Sequence, residues 1–506
     1  MIASYSNVLR GEFQFDDYVF VSGNPRITDL ANFFPCTILK TLNSGDRPVT
    51  LFTYALNYAV GGLAVEGYHI ANLLIHLLTV VLVFVFMRQT LALPPLAEAF
   101  GGGRDLRALA VSAVFALHPL QTESVSYIMQ RSEALASFFY LLTLICLIAF
   151  VRSGKKGSGL ALYAAGIACF ALGWGSKEII ATAPLMLPIY AVFFLGKKEI
   201  RKSLLAAAPF LVAALWFGTR EVAGFGGSSQ AGFHIQGMGQ PEYFYTQMRV
   251  LLTYLRLIIL PVRQNLDYDY PVYRSFFAAP VLLSALFWAA AVCLSFSTLM
   301  QKGGWRWHLR AAGFGLIWFL LLLSPTSSLV PFKDVIYEHR CYLPLLGILI
   351  SAMAVADMAY KKLRSSNIFR GRENPAFVPV ALVLALLGVL AFATYGRNEV
   401  WKTKLSLWTD VVSKSPGKSR AHNNLGNCYL LMGDNGQALA RYLTAMRLDR
   451  GNVETYYNAA ITLERLDRRG ESAFYYSKFL EKAPPEYGGI MQSVKEKLTE
   501  LNRRNE

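Results

Sequence analysis

Residues Gly67–Thr90 read GYHIANLLIHLLTVVLVFVFMRQT, and no Asp, Glu, Lys or Arg interrupts them until Arg88. A helix needs about 20 mostly apolar residues to cross a ~30 Å hydrocarbon core. Nine further apolar runs follow, at 105–120, 133–152, 159–175, 178–196, 203–219, 277–300, 309–325, 341–360 and 376–395, the second of them short. The 506 residues are 54% hydrophobic and 16% charged, against about a quarter charged in soluble domains. The fold class expected is therefore all-α: a polytopic helical membrane domain of about ten spans.

The formal net charge is +16, but the basic residues fall in short clusters between apolar runs. That is how membrane topology is written, and it excludes a nucleic-acid partner. The clusters are Arg88/Arg104/Arg107, Arg152/Lys155/Lys156, Lys197/Lys198/Arg201/Lys202, Lys302/Arg306/Arg310 and Lys361/Lys362/Arg364/Arg370/Arg372. The positive-inside rule makes all five cytoplasmic. Residues 244–261, FYTQMRVLLTYLRLIILP, carry Arg249 and Arg256. If they crossed, the fourth cluster would land outside, so an interfacial or re-entrant helix is expected. Pro48–Gly61, aromatic and nearly uncharged, is expected along the membrane surface. Six scattered cysteines with no CxxC give neither a disulfide framework nor a zinc site. Met1–Arg10 is too short and polar for a signal peptide.

Beyond Asn398 the composition becomes that of a soluble helical domain, with a 34-residue period. Leu425, Gly426, Tyr429, Ala438, Tyr442 and Ala445 match a tetratricopeptide pattern; Tyr456, Ala459, Ala460, Leu463, Ser472, Tyr476 and Pro484 follow one period later. Such an array is a binding surface. The domains expected are an extracytoplasmic acidic loop with surface helices at 1–66, a membrane catalytic domain at 67–396 and the repeats at 397–506.

The same parity puts a second set of charges on the outer face. Asp16 and Asp17 lie in FQFDDYVFVSGNP (Phe13–Pro25), and His118, Glu123, Arg131 and Glu133 surround the next outer turn. Lys177 and Glu178, then Asp267 and Asp269, then Lys333, Asp334, Glu338, His339 and Arg340 complete it. One such residue at a span end usually snorkels to water. Acids and bases gathered at one face suit a site that accepts a proton and grips an anion. A polyprenyl-phosphate sugar fits: its tail lies between helices, its phosphate meets the bases, and the phosphate leaves once its charge is stabilised.

Several stretches occur in an order that resembles the transmembrane-and-tetratricopeptide-repeat O-mannosyltransferases, within the GT-C class of lipid-donor glycosyltransferases. They are the acidic pair, RPVTLFTYALNYAVGG (Arg47–Gly62), GYHIANLLIH (Gly67–His76), HPLQTESV (His118–Val125), Ser-Lys-Glu at 176–178, EHRCYLP (Glu338–Pro344) and the repeats. The resemblance implies inverting transfer of a sugar, mannose in that family, to a hydroxyl at the extracytoplasmic face of what would be a bacterial inner membrane. It implies Asp16 or Asp17 as general base and Arg340, Arg131 and Lys177 as holders of the donor phosphate. His118, Glu178, Glu338, His339, Asp267 and Asp269 would support them. The acceptor would be a protein or glycan held by the repeats, among membrane lipids. No cofactor is required, though Asp16, Asp17, Asp267 and Asp269 could offer oxygens to a divalent metal. The class begins with a span ahead of the acidic loop; here the loop is expected to hang from a free N-terminus. A non-catalytic repeat scaffold and a polysaccharide ligase, polymerase or transporter stay open as other readings.

Overall fold

The computed structural model describes residues 1–33, 47–224, 237–328, 330–365 and 377–503. No strand forms among them. Arg370 and Arg372 of the last basic cluster lie outside the described residues. Two compact units result, Met1–Gln264 with Pro271–Glu399, and Asn265–Tyr270 with Val400–Glu506.

The first unit runs through α1 (Ile2–Tyr5), α2 (Pro48–Gly61), α3 (Val65–Leu91), α4 (Pro94–Phe100), α5 (Arg104–Leu117), α6 (Gln121–Ser126), α7 (Arg131–Arg152) and α8 (Lys156–Trp174). It continues with α9 (Ala183–Phe194), α10 (Lys197–Gly224), α11 (Gln240–Ile259), α12 (Ala279–Ser297), α13 (Arg306–Leu323), α14 (Pro344–Ser365) and α15 (Phe377–Trp401). Among the described residues eight helical segments are long and apolar enough to cross a membrane. They are Val65–Leu91, Ile128–Arg152, Gly157–Trp174, Lys197–Thr219, Ala279–Met300, Arg306–Leu323, Pro344–Ser365 and Val378–Trp401. The chain is an integral membrane protein.

The other two apolar runs also form helices, but shorter ones. Residues 105–120 become the 14-residue α5, about 21 Å long. It stops at Leu117 because His118 precedes Pro119 and takes an extended conformation (φ −72°, ψ 129°). Residues 178–196 become the apolar helix Glu178–Phe194. Residues 244–261 fall mostly within α11, which buries Tyr243, Gln247, Val250, Tyr254 and Leu257 on one face and is not among the eight. Where α13 meets α14, Gly315 and Gly347 touch backbone to backbone, and a Cβ on either would strike the other's carbonyl. Small residues at such crossings let membrane helices pack without a hydrophobic driving force.

The N-terminal residues do not hang free. Asn398 Nδ2 donates to Ser4 O (2.9 Å), Asn7 Nδ2 reaches Tyr395 O (3.0 Å) and Glu399 Oε1 (2.7 Å), and Tyr5 is fully buried. Contacts with α15, more than 380 residues away in sequence, anchor this segment.

The second unit contains α16 (Lys404–Lys414), α17 (Ser419–Leu431), α18 (Asn435–Leu448), α19 (Val453–Arg465), α20 (Arg469–Lys482) and α21 (Gly488–Arg503). Helix starts recur at the sequence period, 419 to 453 and 435 to 469. Gly426 lies against the Tyr442 ring so closely that a Cβ would strike it. Tyr442, Ala459, Ala460, Leu463, Tyr476 and Phe479 form the core, which α21 closes with Val494 and Leu501.

Candidate active site

The turn between α5 and α7, residues 118–131, is buried apart from the half-buried Met129. It is the hub on which the candidate residues hang. Its backbone is held from several directions. Asn72 Nδ2 donates to Val125 O (3.1 Å), Tyr54 Oη to Ile128 O (2.9 Å) and Gln264 Nε2 to Pro119 O (3.1 Å), while Ser126 Oγ donates to Asn398 Oδ1 (2.6 Å).

The acidic pair docks on this hub. Phe15, just ahead of it, sits at φ 41°, a left-handed conformation that costs a bulky residue on the order of 1–3 kcal/mol. The kink sends the two neighbouring carboxylates to different environments. Asp17 is fully buried, with Oδ2 accepting from Gln14 N (2.9 Å) and Oδ1 from Met129 N (2.7 Å). Burial pushes its pKa up to about 8, against the pull of those backbone N–H groups. Near neutrality Asp17 is therefore largely protonated, which spares Asp16 a second negative charge at its side. Asp16 is half-buried; its N–H donates to Tyr127 Oη (3.0 Å), and its carboxylate engages the same hydroxyl.

The cations divide the same way. Arg131 is fully buried, with Nε on Asn72 Oδ1 (2.6 Å), Nη1 on Thr53 O (3.1 Å) and Oγ1 (3.2 Å), and Nη2 on Tyr68 O (3.1 Å). Its guanidinium also lies over the rings of Tyr54 and Tyr68. It joins α2, α3 and α7 and has almost nothing left for a phosphate, which corrects the expectation that it grips the donor. Lys177 pairs with Glu133 Oε2 (2.8 Å) and reaches Gln130 Oε1 (3.3 Å), and burial lowers its pKa. Glu178 is held by Arg47 (3.2 Å), which also donates to Ser132 Oγ (3.2 Å).

Arg340 differs from all of these. It is buried among Phe332, Tyr337, Tyr243 and Tyr254, its guanidinium 5.1 Å from the Phe332 and Tyr337 ring centres. Its Nη1 contacts to Thr326 O and Val335 O are long, 3.5 Å each. No carboxylate among the described residues pairs with it. His339, next in sequence, ties the segment to the hub: its Nδ1 meets Glu123 Oε1 at 2.6 Å. Burial first, then the charges of Lys177, Arg340 and Arg47, lowers its pKa and keeps it neutral. Those three cations thus act on one imidazole. Glu338 accepts from Gln264 Nε2 (2.8 Å).

Three expected supporting residues are engaged elsewhere. His118 uses both ring nitrogens structurally, Nε2 on Ile258 O (2.9 Å) and Nδ1 accepting from Leu120 N (3.2 Å). Asp267, in the second unit, is clasped by Arg420 (2.7 and 2.8 Å) and Lys418 (3.2 Å). Asp269, in the same unit, is exposed; its backbone N–H donates to Ser415 Oγ (2.9 Å). Among the described residues no group of three His, Cys, Asp or Glu side chains lies close enough together to hold a metal ion. Sequence reasoning missed Tyr127 and Arg47. Tyr127 gave no signal, whereas Arg47, a lone base ahead of a proline-started helix, was visible.

No family model matches the chain. Curated relatives do. A protein O-mannosyl-transferase of Caenorhabditis elegans is 27% identical over 470 residues, 88% of this chain and 61% of the relative. The chain is a distant relative of the protein O-mannosyl-transferases. The human protein O-mannosyl-transferase TMTC4 is 23% identical, covering 87% of this chain and 64% of the relative. Human TMTC3 is 22% identical, covering 94% and 53%. The chain spans between about half and two thirds of the length of these protein O-mannosyl-transferases.

Proposed function

We propose that the chain is an inverting glycosyltransferase that moves a sugar, mannose by its relatives' names, from a polyprenyl phosphate to a hydroxyl, favouring protein Ser or Thr. The observation that carries this is a division of labour on one hub. A half-exposed carboxylate, Asp16, is locked to residues 118–131 by Asp17 and Tyr127. A guanidinium that pairs with no carboxylate among the described residues, Arg340, is locked to the same residues through His339 and Glu123.

Asp16 accepts the acceptor's hydroxyl proton as its oxygen attacks the anomeric carbon. The bond from that carbon to the phosphate oxygen breaks on the opposite side, which inverts the centre. Polyprenyl phosphate departs with its charge held by Arg340 and, at longer range, by Arg47 and Lys177. Asp17 positions the loop. By the positive-inside rule the hub lies on the extracytoplasmic side, in a bacterial inner membrane if the chain is bacterial. The helix pairs of the second unit act as tetratricopeptide repeats that hold the acceptor.

The test is transfer of radiolabelled sugar from polyprenyl phosphate to acceptor protein by the full chain in membranes. Asp16→Asn is expected to lose about 10²–10⁴-fold of the rate. Asp17→Asn, which keeps only one of the two oxygens that accept from Gln14 N and Met129 N, is expected to lose less of it, through a loosened loop. Normal transfer by Asp16→Asn defeats the reading.

A further inference from the structure

Residues 301–310, QKGGWRWHLR, lead into α13 and carry Lys302, Arg306 and Arg310 but no Asp or Glu. Two guanidiniums gather on one indole there: the Arg306 and Arg310 Cζ atoms lie 5.0 and 4.7 Å from the centre of the Trp307 ring. The two arginines are four residues apart on a helix, so like charges share one side of it, which is destabilising. Among the described residues no carboxylate pairs with either. Arg306 is exposed and makes no side-chain hydrogen bond among those residues. Arg310 is half-buried; its Nη2 donates to Leu299 O (2.7 Å), and its Nε–H finds no acceptor among them. His308, between the two, is spent on Asp357 (2.9 Å), an acid that Arg107 (2.6 Å) and Lys361 (3.0 Å) already neutralise.

The place of these cations says what they meet. α13 is 18 residues long, about 27 Å, and its other end leads to Thr326, whose carbonyl lies at Arg340. The two arginines therefore stand at the end of the bundle opposite the candidate active site. α12 and α13 are both long and apolar enough to span, and they touch where Gly313 packs on Ser295 and Thr298. Arg310 is level with Leu299, and the residues before Leu299 lie progressively deeper. Of these Phe296 and Leu294 are exposed, as is Met300 at the rim; Leu294 is about 7 Å below Leu299. An indole at the start of a spanning helix sits at the depth of lipid headgroups. A phosphodiester there relieves the repulsion between the guanidiniums and accepts from their N–H groups, while its acyl chains run down past Phe296 and Leu294.

We propose that Arg306, Arg310 and Trp307 form a headgroup site for an anionic phospholipid in the leaflet opposite the candidate active site. The inference stands apart from the donor class proposed above. A zwitterionic lipid brings an ammonium that the two guanidiniums repel, so the site selects on charge. Each base beside an anionic membrane surface contributes about fivefold, and after screening the pair is expected to favour the anionic lipid about five- to twentyfold.

The experiment releases the full chain from nanodiscs of phosphatidylglycerol and phosphatidylcholine in equal parts and identifies the last lipid to dissociate by native mass spectrometry. The wild type is expected to retain phosphatidylglycerol over phosphatidylcholine about five- to twentyfold. Arg306→Gln/Arg310→Gln is expected to lose that preference. Lys197→Gln/Lys198→Gln, which removes the same charge from another exposed basic cluster, is expected to keep it. No preference in the wild type, or one that survives in the arginine variant, overturns the site. Loss in both variants overturns it too, because net charge alone then explains the retention. Millimolar inorganic phosphate is expected to leave the lipid in place; displacement by it marks a site for a free anion and overturns the lipid. Should the arginine variant fail to fold, Arg306→Glu replaces it, since that side chain is exposed. The same loss is then expected, and a surviving preference refutes the proposal.

Discussion

Arg131→Lys separates a residue that holds helices together from one that holds a substrate. From its place on α7, the fork of Arg131 serves three acceptors on two other helices: Thr53 O on α2, and Tyr68 O and Asn72 Oδ1 on α3. A lysine keeps the charge, but its single ammonium can stay with only one of these directions. Two of the three acceptors are then left without a donor in a fully buried site, at about 1–3 kcal/mol each. The sum, about 2–6 kcal/mol, corresponds to a fall in Tm on the order of 2–6 °C for a chain of 506 residues. The assay is thermal unfolding of the purified chain in detergent, followed by tryptophan fluorescence, with polyprenyl phosphate binding measured in parallel below Tm. The expected result is a fall in Tm of that size with phosphate affinity nearly unchanged. An unchanged Tm with lost phosphate binding would refute the staple and return Arg131 to the donor site.

Arg340→Lys should do the reverse: about 10- to 100-fold weaker binding of polyprenyl phosphate, from the lost bidentate contact, with a smaller fall in Tm than Arg131→Lys, because two of its hydrogen bonds are long and an ammonium can keep the one to Tyr243. Asp17 makes docking of the acidic loop pH-dependent. Its folded pKa, about 8, lies above its ordinary value, so the docked loop binds more protons and docking weakens as pH rises through 8. Protection of residues 12–24 against hydrogen exchange, taken relative to the intrinsic base-catalysed rate, should therefore fall as pH rises towards about 8 and level off above it, and Asp17→Asn should flatten that dependence. In the second unit, Arg420→Ala leaves Asp267 with Lys418 alone; a loss of about 2 kcal/mol is expected, discounted for the partial exposure of Arg420, and read by limited proteolysis of the full chain.

Several features were legible from residue order alone. The ten apolar runs all became helices, since length and continuous hydropathy are local properties. Two of the runs fall short of spanning length, the helices Arg104–Leu117 and Ala183–Phe194. The 34-residue spacing reappeared in the starts of four helices, because each aromatic and small residue must meet its counterpart in the neighbouring helix.

The charged residues were legible only as a set. Residue order placed Asp16 beside Asp17 and could not say which would be buried; the left-handed turn at Phe15 and the Met129 N–H, 112 residues away, decided it. Arg131 and Arg340 look alike in the chain, each beside an acidic outer turn. Asn72, Thr53 and Tyr68 consume the first, while an aromatic cage leaves the second without a carboxylate. Hydropathy and period act over a few residues, so the order of residues determined which segments enter the membrane and which repeat. A side chain's hydrogen-bonding capacity is taken up by whatever distant groups the fold brings to it. Only the tertiary structure could therefore decide which charges are spent on holding the protein together and which are not.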